Sequence, residues 1–297
     1  MIWLIGCRGM LGTELAGMLD RQQRPFVGTD IECDITNPAA LRDFAARQTP
    51  DWIVNASAYT NVDRAEDEEP GARAINAEGA GRIADVAAAR GARMIHISTD
   101  YVFDGRATRP YLEDDPIRPL GAYGRTKAAG EALVRAACPD HVILRTAWLY
   151  GRHGRNFVAT MLKLMTERAT LKVVSDQRGT PTWTRTLADV IMRVIANGSV
   201  PPGTYHVTDE GETTWHGFAV EIQRVAVARG LIPGGCEILP IPASQYPSKA
   251  PRPAYSVLSK ARIQTALGFQ LPDWRSSLAS YADELAAQGQ SIVNSQQ

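Results

Sequence analysis

The stretch IWLIGCRGMLGTELAGMLD, Ile2 to Asp20, is a short apolar run that ends in glycine and opens into a helical pattern. Leu11, Leu15, Met18 and Leu19 recur on one helix face. Between run and helix stand Gly6, Gly9 and Gly12, spaced G-x-x-G-x-x-G rather than G-x-G-x-x-G. Three glycines in seven residues also suit a simple tight turn. Their position says more: they follow the first strand, open the first helix and head an alternating pattern. There, glycines let backbone N–H groups approach a pyrophosphate, and the helix N-terminus adds positive potential.

The alternation continues outward. PFVGTD is a second strand ending at Asp30, and NPAALRDFAARQ a helix with Asn37 as N-cap and Pro38 at its first position. DWIVNAS reads as a third strand and the Ala-rich PGARAINAEGAGRIADVAAARG as a long helix stopped by Gly91. RMIHIST and HVILRTAW are the fourth and fifth strands, with the helix containing Tyr123 between them. Apolar strands separated by amphipathic helices predict an α/β fold, a Rossmann-type doubly wound parallel sheet. Residues 1–150 are expected to form the dinucleotide-binding domain. Residues 151–297 are expected to form mainly a smaller, interleaved C-terminal substrate lobe, with the helix near 184–197 also able to cover the sheet. That second half is richer in proline, as in LPIPASQYPSKAPRP.

Composition excludes several classes. Lys plus Arg equals Asp plus Glu at 32 each, so no global field recruits nucleic acid or an anionic membrane. The opening lacks a basic n-region and its apolar run is too short for an export signal. No segment reaches the ~18 apolar residues of a membrane span. The four cysteines, Cys7, Cys33, Cys138 and Cys236, form no CxxC pair, which fits a reducing, cytoplasmic setting. The five histidines show no HExxH and no cluster.

In an open parallel sheet, ligands bind outside the carboxyl ends of the strands. Asp30 stands there, 18 residues after Gly12, near the offset of a carboxylate that accepts a ribose hydroxyl. It favours NADH, whereas Arg8 in the glycine loop offers a partner to the 2′-phosphate of NADPH, so the choice of nucleotide stays open. HISTDYVFDG delivers Ser98 and Thr99 to the edge of the fourth strand, and NASAYTNVD closes the third beside it. In AYGRTKAAGE, Tyr123 and Lys127 are four residues apart and share a helix face. A tyrosine with pKa near 10 is a poor proton relay at neutral pH. A nearby ammonium favours phenolate. Bringing the value to about 7 needs roughly 4 kcal/mol of differential stabilisation. The acids of RAEDEEPGA, Glu66 to Glu69, are read as favouring the start of the following helix.

Gly6, Gly9 and Gly12, Thr99, and Tyr123-x-x-x-Lys127 resemble the signature of extended short-chain dehydrogenase/reductases. Within that superfamily the chain is similar to dTDP-4-dehydrorhamnose reductases, through NASAYTNVDRAE, INAEG, STDYVFDG, YGRTKAAGE, RTAWLYG, NFVATML, DQRGTPT and RPAYSVLSKARI. The resemblance implies NADPH or NADH as cofactor and a dTDP-linked 4-keto-6-deoxysugar as substrate. It implies Tyr123 as general acid for O4, Lys127 as holder of the nicotinamide ribose and tuner of Tyr123, and Thr99 as partner of the carbonyl. Cofactor contacts are expected at Gly6, Arg8, Gly9, Met10, Leu11, Gly12, Asp30, Asp34, Ile35, Ala56, Ala58, Tyr59 and Lys127. Thr99, Tyr101, Tyr123, Trp148, Asn156, Phe157, Gln177, Pro181, Thr182 and Arg252 are expected around the nucleotide sugar, with Arg252 as diphosphate clamp.

Family members that pair through a metal use clustered acids. Here Glu14 and Asp189 stand at comparable places with no second acid beside Asp189, so no metal is expected and the chain is expected as monomer or homodimer. Other readings remain: another extended reductase or epimerase of a nucleotide sugar, or a noncatalytic subunit with the same fold. A dehydratase would be expected to place Glu after the Asp that closes the fourth strand, where Tyr101 follows Asp100.

Overall fold

The computed structural model describes residues 1–287 and Gly289; Gln288, at the end of the expected last helix, and residues 290–297 of the expected C-terminal lobe lie outside the described residues. The chain alternates β1 (Ile2–Ile5), α1 (Met10–Arg21), β2 (Phe26–Thr29), α2 (Pro38–Gln48) and β3 (Trp52–Asn55). It continues through α3 (Glu69–Arg73), a π-helical turn at Ala74–Gly79, α4 (Ala80–Arg90), β4 (Arg93–Thr99), α5 (Ala122–Ala137) and β5 (His141–Thr146). It then leaves the sheet for β6 (Leu149–Tyr150), α6 (Phe157–Glu167), β7 (Thr170–Val174), β8 (Arg178–Gly179) and β9 (Thr182–Trp183). It returns through α7 (Thr184–Asn197) and β10 (Gly203–His206), leaves again as β11 (Thr213–Thr214), α8 (Trp215–Ala228) and β12 (Glu237–Ile241), comes back onto the sheet's core as α9 (Ala261–Leu267) and ends in α10 (Trp274–Ala287).

Six strands form one sheet in the order β10-β5-β4-β3-β1-β2, and every pairing is parallel. The direction of winding reverses beside β1, which puts a topological switch point between β1 and β3. Both faces of the sheet are covered, so successive apolar residues serve opposite cores. Ile2 and Leu4 pack with Leu11, Leu15, Leu187 and Ile191 of α1 and α7. Trp3 and Ile5 pack with Leu41 and Ile83 of α2 and α4. The same alternation splits Val54 from Ile53 and Leu144 from Ile143. A third core, around Leu162, Phe218, Trp274 and Tyr281, belongs to α6, α8 and α10.

Local signals behave as their chemistry requires. Asn37 Oδ1 caps α2 by accepting from the amides of Ala39 and Ala40 at 3.0 and 3.3 Å. Gly91 ends α4 at φ +64. Two expectations change. The Ala-rich helix is interrupted by its π-turn, where Asn76 bonds Tyr59 and Thr126. The piece GTYHVT, read with the second half, supplies β10 and covers the outer edge of β5.

Glu131 fastens α5 to the sheet. It is fully buried, and its Oε1 accepts from Ser98 Oγ of β4 at 2.6 Å and from Arg145 Nε of β5 at 2.8 Å. Its Oε2 accepts from Arg145 Nη2 at 2.7 Å and Arg135 Nη1 at 3.2 Å. Arg145 and Ser98 hold Glu131 ionised below the usual carboxylate range despite its burial. Breaking a buried pair from one side strands a charge. Glu131→Leu should therefore lower stability by about 3–5 kcal/mol in urea unfolding, and adding Arg145→Met should restore a large part of it.

Candidate functional site

The β1–β5 register aligns Ile5 with Thr29 and Asn55, and Thr99 with Thr146, so the ends of these strands open onto one edge. A cleft of about 1000 Å³ lies there. Gly6, Gly9, Met10 and Leu11 line one end, and Thr99, Tyr123, Lys127 and Trp148 the other.

The glycine end is shaped by contact. Gly6 adopts φ +81, and a Cβ on it would meet Ser57 N at 2.8 Å. Gly12 does not line the cleft; a Cβ there would meet Gly6 O at 2.0 Å, so it sets the close approach of α1 to the loop. Gly9 is the N-cap of α1 without a side-chain cap, and no acid occupies the first turn. The orphan amides of that turn therefore face a site suited to an anion. Asp30, at the end of β2, accepts from the amides of Arg8 and Ile31, both at 3.0 Å. Asp34, Ile35, Ala56 and Ala58 also line this end. The Thr36 hydroxyl and amide hold Asp34 below the usual carboxylate range. A dinucleotide fits this cradle: close glycines, uncapped amides, and a carboxylate at the second strand. Tyr59 is turned elsewhere, its hydroxyl donating to Glu68 Oε2 at 2.8 Å.

At the other end, α5 presents Tyr123 half-buried and Lys127 buried. Burial pushes the Tyr123 phenol far up; a hydrogen bond with Thr99 opposes this, while Asp100 and Tyr101 add to it. Lys127 donates from Nζ to Ile97 O at 2.6 Å. Burial brings its ammonium down to about 8, and Glu131 opposes that fall. Thr99 Oγ1 donates to Asp100 Oδ1 at 3.0 Å and accepts from Tyr101 N at 3.2 Å. The buried Asp100 carboxyl is raised by burial to about 6. Tyr101 lines the cleft edge-on to Tyr123, with centroids 5.6 Å apart.

The start of α5 is held from outside. Ala122 N donates to Glu66 Oε1 at 2.7 Å, and Arg125 grips Glu69 at 2.7 and 3.0 Å. Glu69 stands in the first turn of α3, as expected for its acids, while the Glu66 carboxylate serves the N-terminus of the distant Tyr123 helix instead.

The expected sugar contacts divide. Trp148 lines the cleft at φ +47, its ring flat on Trp215 with centroids 3.6 Å apart. A Cβ on Gly179 would strike that ring at 2.5 Å. Asn156, Phe157, Gln177, Pro181, Thr182 and Arg252 do not line it. Asn156 caps α6, Phe157 stacks on Phe218, and Gln177, Pro181 and Thr182 are buried. Arg252 Nη2 is held by Asp63 Oδ2 at 2.9 Å, and Asp63 also accepts from Ala250 N at 3.0 Å. Away from the cleft, Arg185 pairs with Glu14 at 2.8 Å and with Glu284, and Arg193 with Asp189 at 2.8 Å. No group of three or more metal-ligating side chains occurs among the described residues.

Sequence reading missed Ile31, Glu32, Val62, Ile75 and Arg155. Ile31 lines the cleft yet is 86% exposed, an apolar surface available to a flat heterocycle. Glu32 accepts from Asp30 N at 2.8 Å and pairs with Arg8. An apolar residue between two acids, in DIE, was the legible signal for both. Val62, Ile75 and Arg155 reach the cleft from distant segments and carried none.

Residues 1–287 match the model of a family described as the RmlD substrate binding domain. A dTDP-4-dehydrorhamnose reductase of Burkholderia thailandensis is 40% identical, covering 97% of this chain and 99% of its own. A probable dTDP-4,6-dihydroxy-2-methyloxan-3-one 4-ketoreductase of Streptomyces antibioticus is 44% identical, covering 97% of both. The crystal structure of a Bacillus anthracis dTDP-4-dehydrorhamnose reductase in complex with NADP superposes with a TM-score of 0.90 at 34% identity, covering 95% of this chain and 98% of that one.

The contact of Gly12 with Gly6 makes the cradle sensitive to one methyl group. Gly12→Ala should weaken NADPH binding roughly tenfold or more, about 1.4 kcal/mol, in a fluorescence titration. Gly71→Ala, which meets nothing within 4 Å, should leave it unchanged.

Proposed function

The chain belongs to the RmlD substrate binding domain family, and from that membership we propose that it is an NAD(P)H-dependent reductase acting on dTDP-4-dehydro-L-rhamnose, whose C4 keto group becomes the hydroxyl of dTDP-L-rhamnose. The observation that carries this reading is the shared cleft: Thr99, Tyr123 and Lys127 on one wall, the glycine cradle at the other end. Residues 1–150 serve chiefly the dinucleotide, and the later segments, with Trp148 at their border, enclose the sugar nucleotide.

When bound, the dinucleotide supplies the hydride for C4. The protein's part is the proton. Tyr123 donates its phenolic proton to O4 as charge gathers there. Burial keeps that phenol protonated until a more basic oxygen is presented. The Thr99 hydroxyl beside it orients the carbonyl oxygen. The Lys127 ammonium supplies positive potential to the wall where negative charge develops. Asp30, with the backbone from Gly6 to Leu11, holds the dinucleotide, and Trp148 offers an aromatic face to the sugar. The four cysteines are free, which accords with a cytoplasmic enzyme, and no helix among the described residues is long and apolar enough to cross a membrane. It works as a monomer or homodimer.

The test supplies dTDP-4-dehydro-L-rhamnose with NADH or NADPH and follows nicotinamide absorbance. Tyr123→Phe should lose about 10²–10⁴-fold in rate while keeping its cofactor affinity; full activity in that variant sinks the acid assignment. Lys127 is charged below its pKa of about 8 and neutral above it. The rate should therefore fall on the alkaline side of pH about 8, and Lys127→Arg should remove that limb from whatever activity it retains.

A further inference from the structure

We propose that Arg155 is the side chain that clamps the pyrophosphate of the dinucleotide, reaching over the glycine loop from the segment that joins β6 to α6. The proposal rests on the reading of this cleft as a dinucleotide site.

Three cations line the cleft: Arg8, Lys127 and Arg155. Arg8 is paired with Glu32, and the Lys127 ammonium is bonded to Ile97 O at 2.6 Å. Arg155 is exposed and makes no hydrogen bond or ion pair among the described residues. A guanidinium with unspent donors at the rim of an anion site is suited to a bidentate phosphate contact.

Its location selects the phosphate. Arg155 follows Gly154, which takes φ +69, and a Cβ on Gly154 would stand 3.9 Å from Met10 Cβ. The segment therefore lies against the first turn of α1, where Gly9 is uncapped and the amides face outward. The strap that carries Arg252 is pinned instead to Asp63. Amides from one side and a guanidinium from the other then enclose the same pyrophosphate.

The segment is built to hold this position. Asn156 Nδ2 donates to Gly151 O at 2.7 Å and Gly154 O at 3.4 Å, while its Oδ1 accepts from Ala159 N at 3.0 Å. Tyr281 Oη donates to Gly151 O at 3.2 Å. Asn156 thus acts as a positioning residue for Arg155.

The experiment titrates the full chain with NADPH, NADH, ADP-ribose and AMP by protein fluorescence or calorimetry. Arg155→Ala should raise the Kd of the two cofactors and of ADP-ribose about tenfold, as loss of a charge-assisted contact implies. AMP, which has no pyrophosphate, should bind as before, and Arg155→Lys should fall between. An unchanged Kd for ADP-ribose overturns the proposal. So does a raised KM for the nucleotide sugar with unchanged cofactor Kd, because the cation would then serve the sugar's diphosphate. A wild-type chain that binds no dinucleotide refutes the reading of the cleft itself, a different outcome from either.

Discussion

A single carboxylate without access to water, Glu131, sets the geometry on which the cleft depends. It joins the helix of Tyr123 and Lys127 to Ser98, the neighbour of Thr99, and to Arg145 on the next strand. Exposed pairs such as Arg64–Glu68 add little to a fold. A buried, doubly bonded carboxylate is different, because any slide of α5 along β4 would strip hydrogen bonds from charges that cannot reach solvent. Glu66 holds the same helix at its N-terminus. Tyr123, Lys127 and Thr99 are thus fixed by contacts at the start of one helix, within it and along the adjacent strand.

What could be read from the chain follows the range of the forces involved. Alternation and helical spacing are local, so the five leading strands, the Asn37 cap, the Gly91 stop and the doubly wound sheet were all legible. So was the shared face of Tyr123 and Lys127, because four residues make one turn. Contacts across long stretches of chain left no local trace. Nothing near Gly203 marks it as a partner for Val142, and nothing in RAEDEE says that Glu66 will cap a helix 56 residues away. Arg252 illustrates the same limit from the other side: its chemistry suits a phosphate, but Asp63 already holds it.

The electrostatics of the site were legible in kind and not in detail. Spacing placed a phenol and an ammonium on one helix face. Burial adds what spacing does not show. Lys127 spends a donor on a strand carbonyl, and the phenol answers to Thr99, Asp100 and Tyr101. Both groups are held in their protonated forms, with Glu131 keeping the ammonium charged against its burial. The resting wall is therefore loaded with protons and waits for an oxygen basic enough to take one.

The return of the chain to the sheet through α7 and β10 has a consequence for how the protein can be divided. A fragment ending near residue 150 would keep the glycine loop, Tyr123 and Lys127, yet it would lack the strand that hydrogen-bonds to β5 and the helix that covers Leu11 and Leu15. Its sheet would end in a bare, apolar edge strand beside an uncovered face, the arrangement that recruits other chains. The two halves are therefore interlocked: the sheet of the first is complete only when α7 and β10 of the second have joined it.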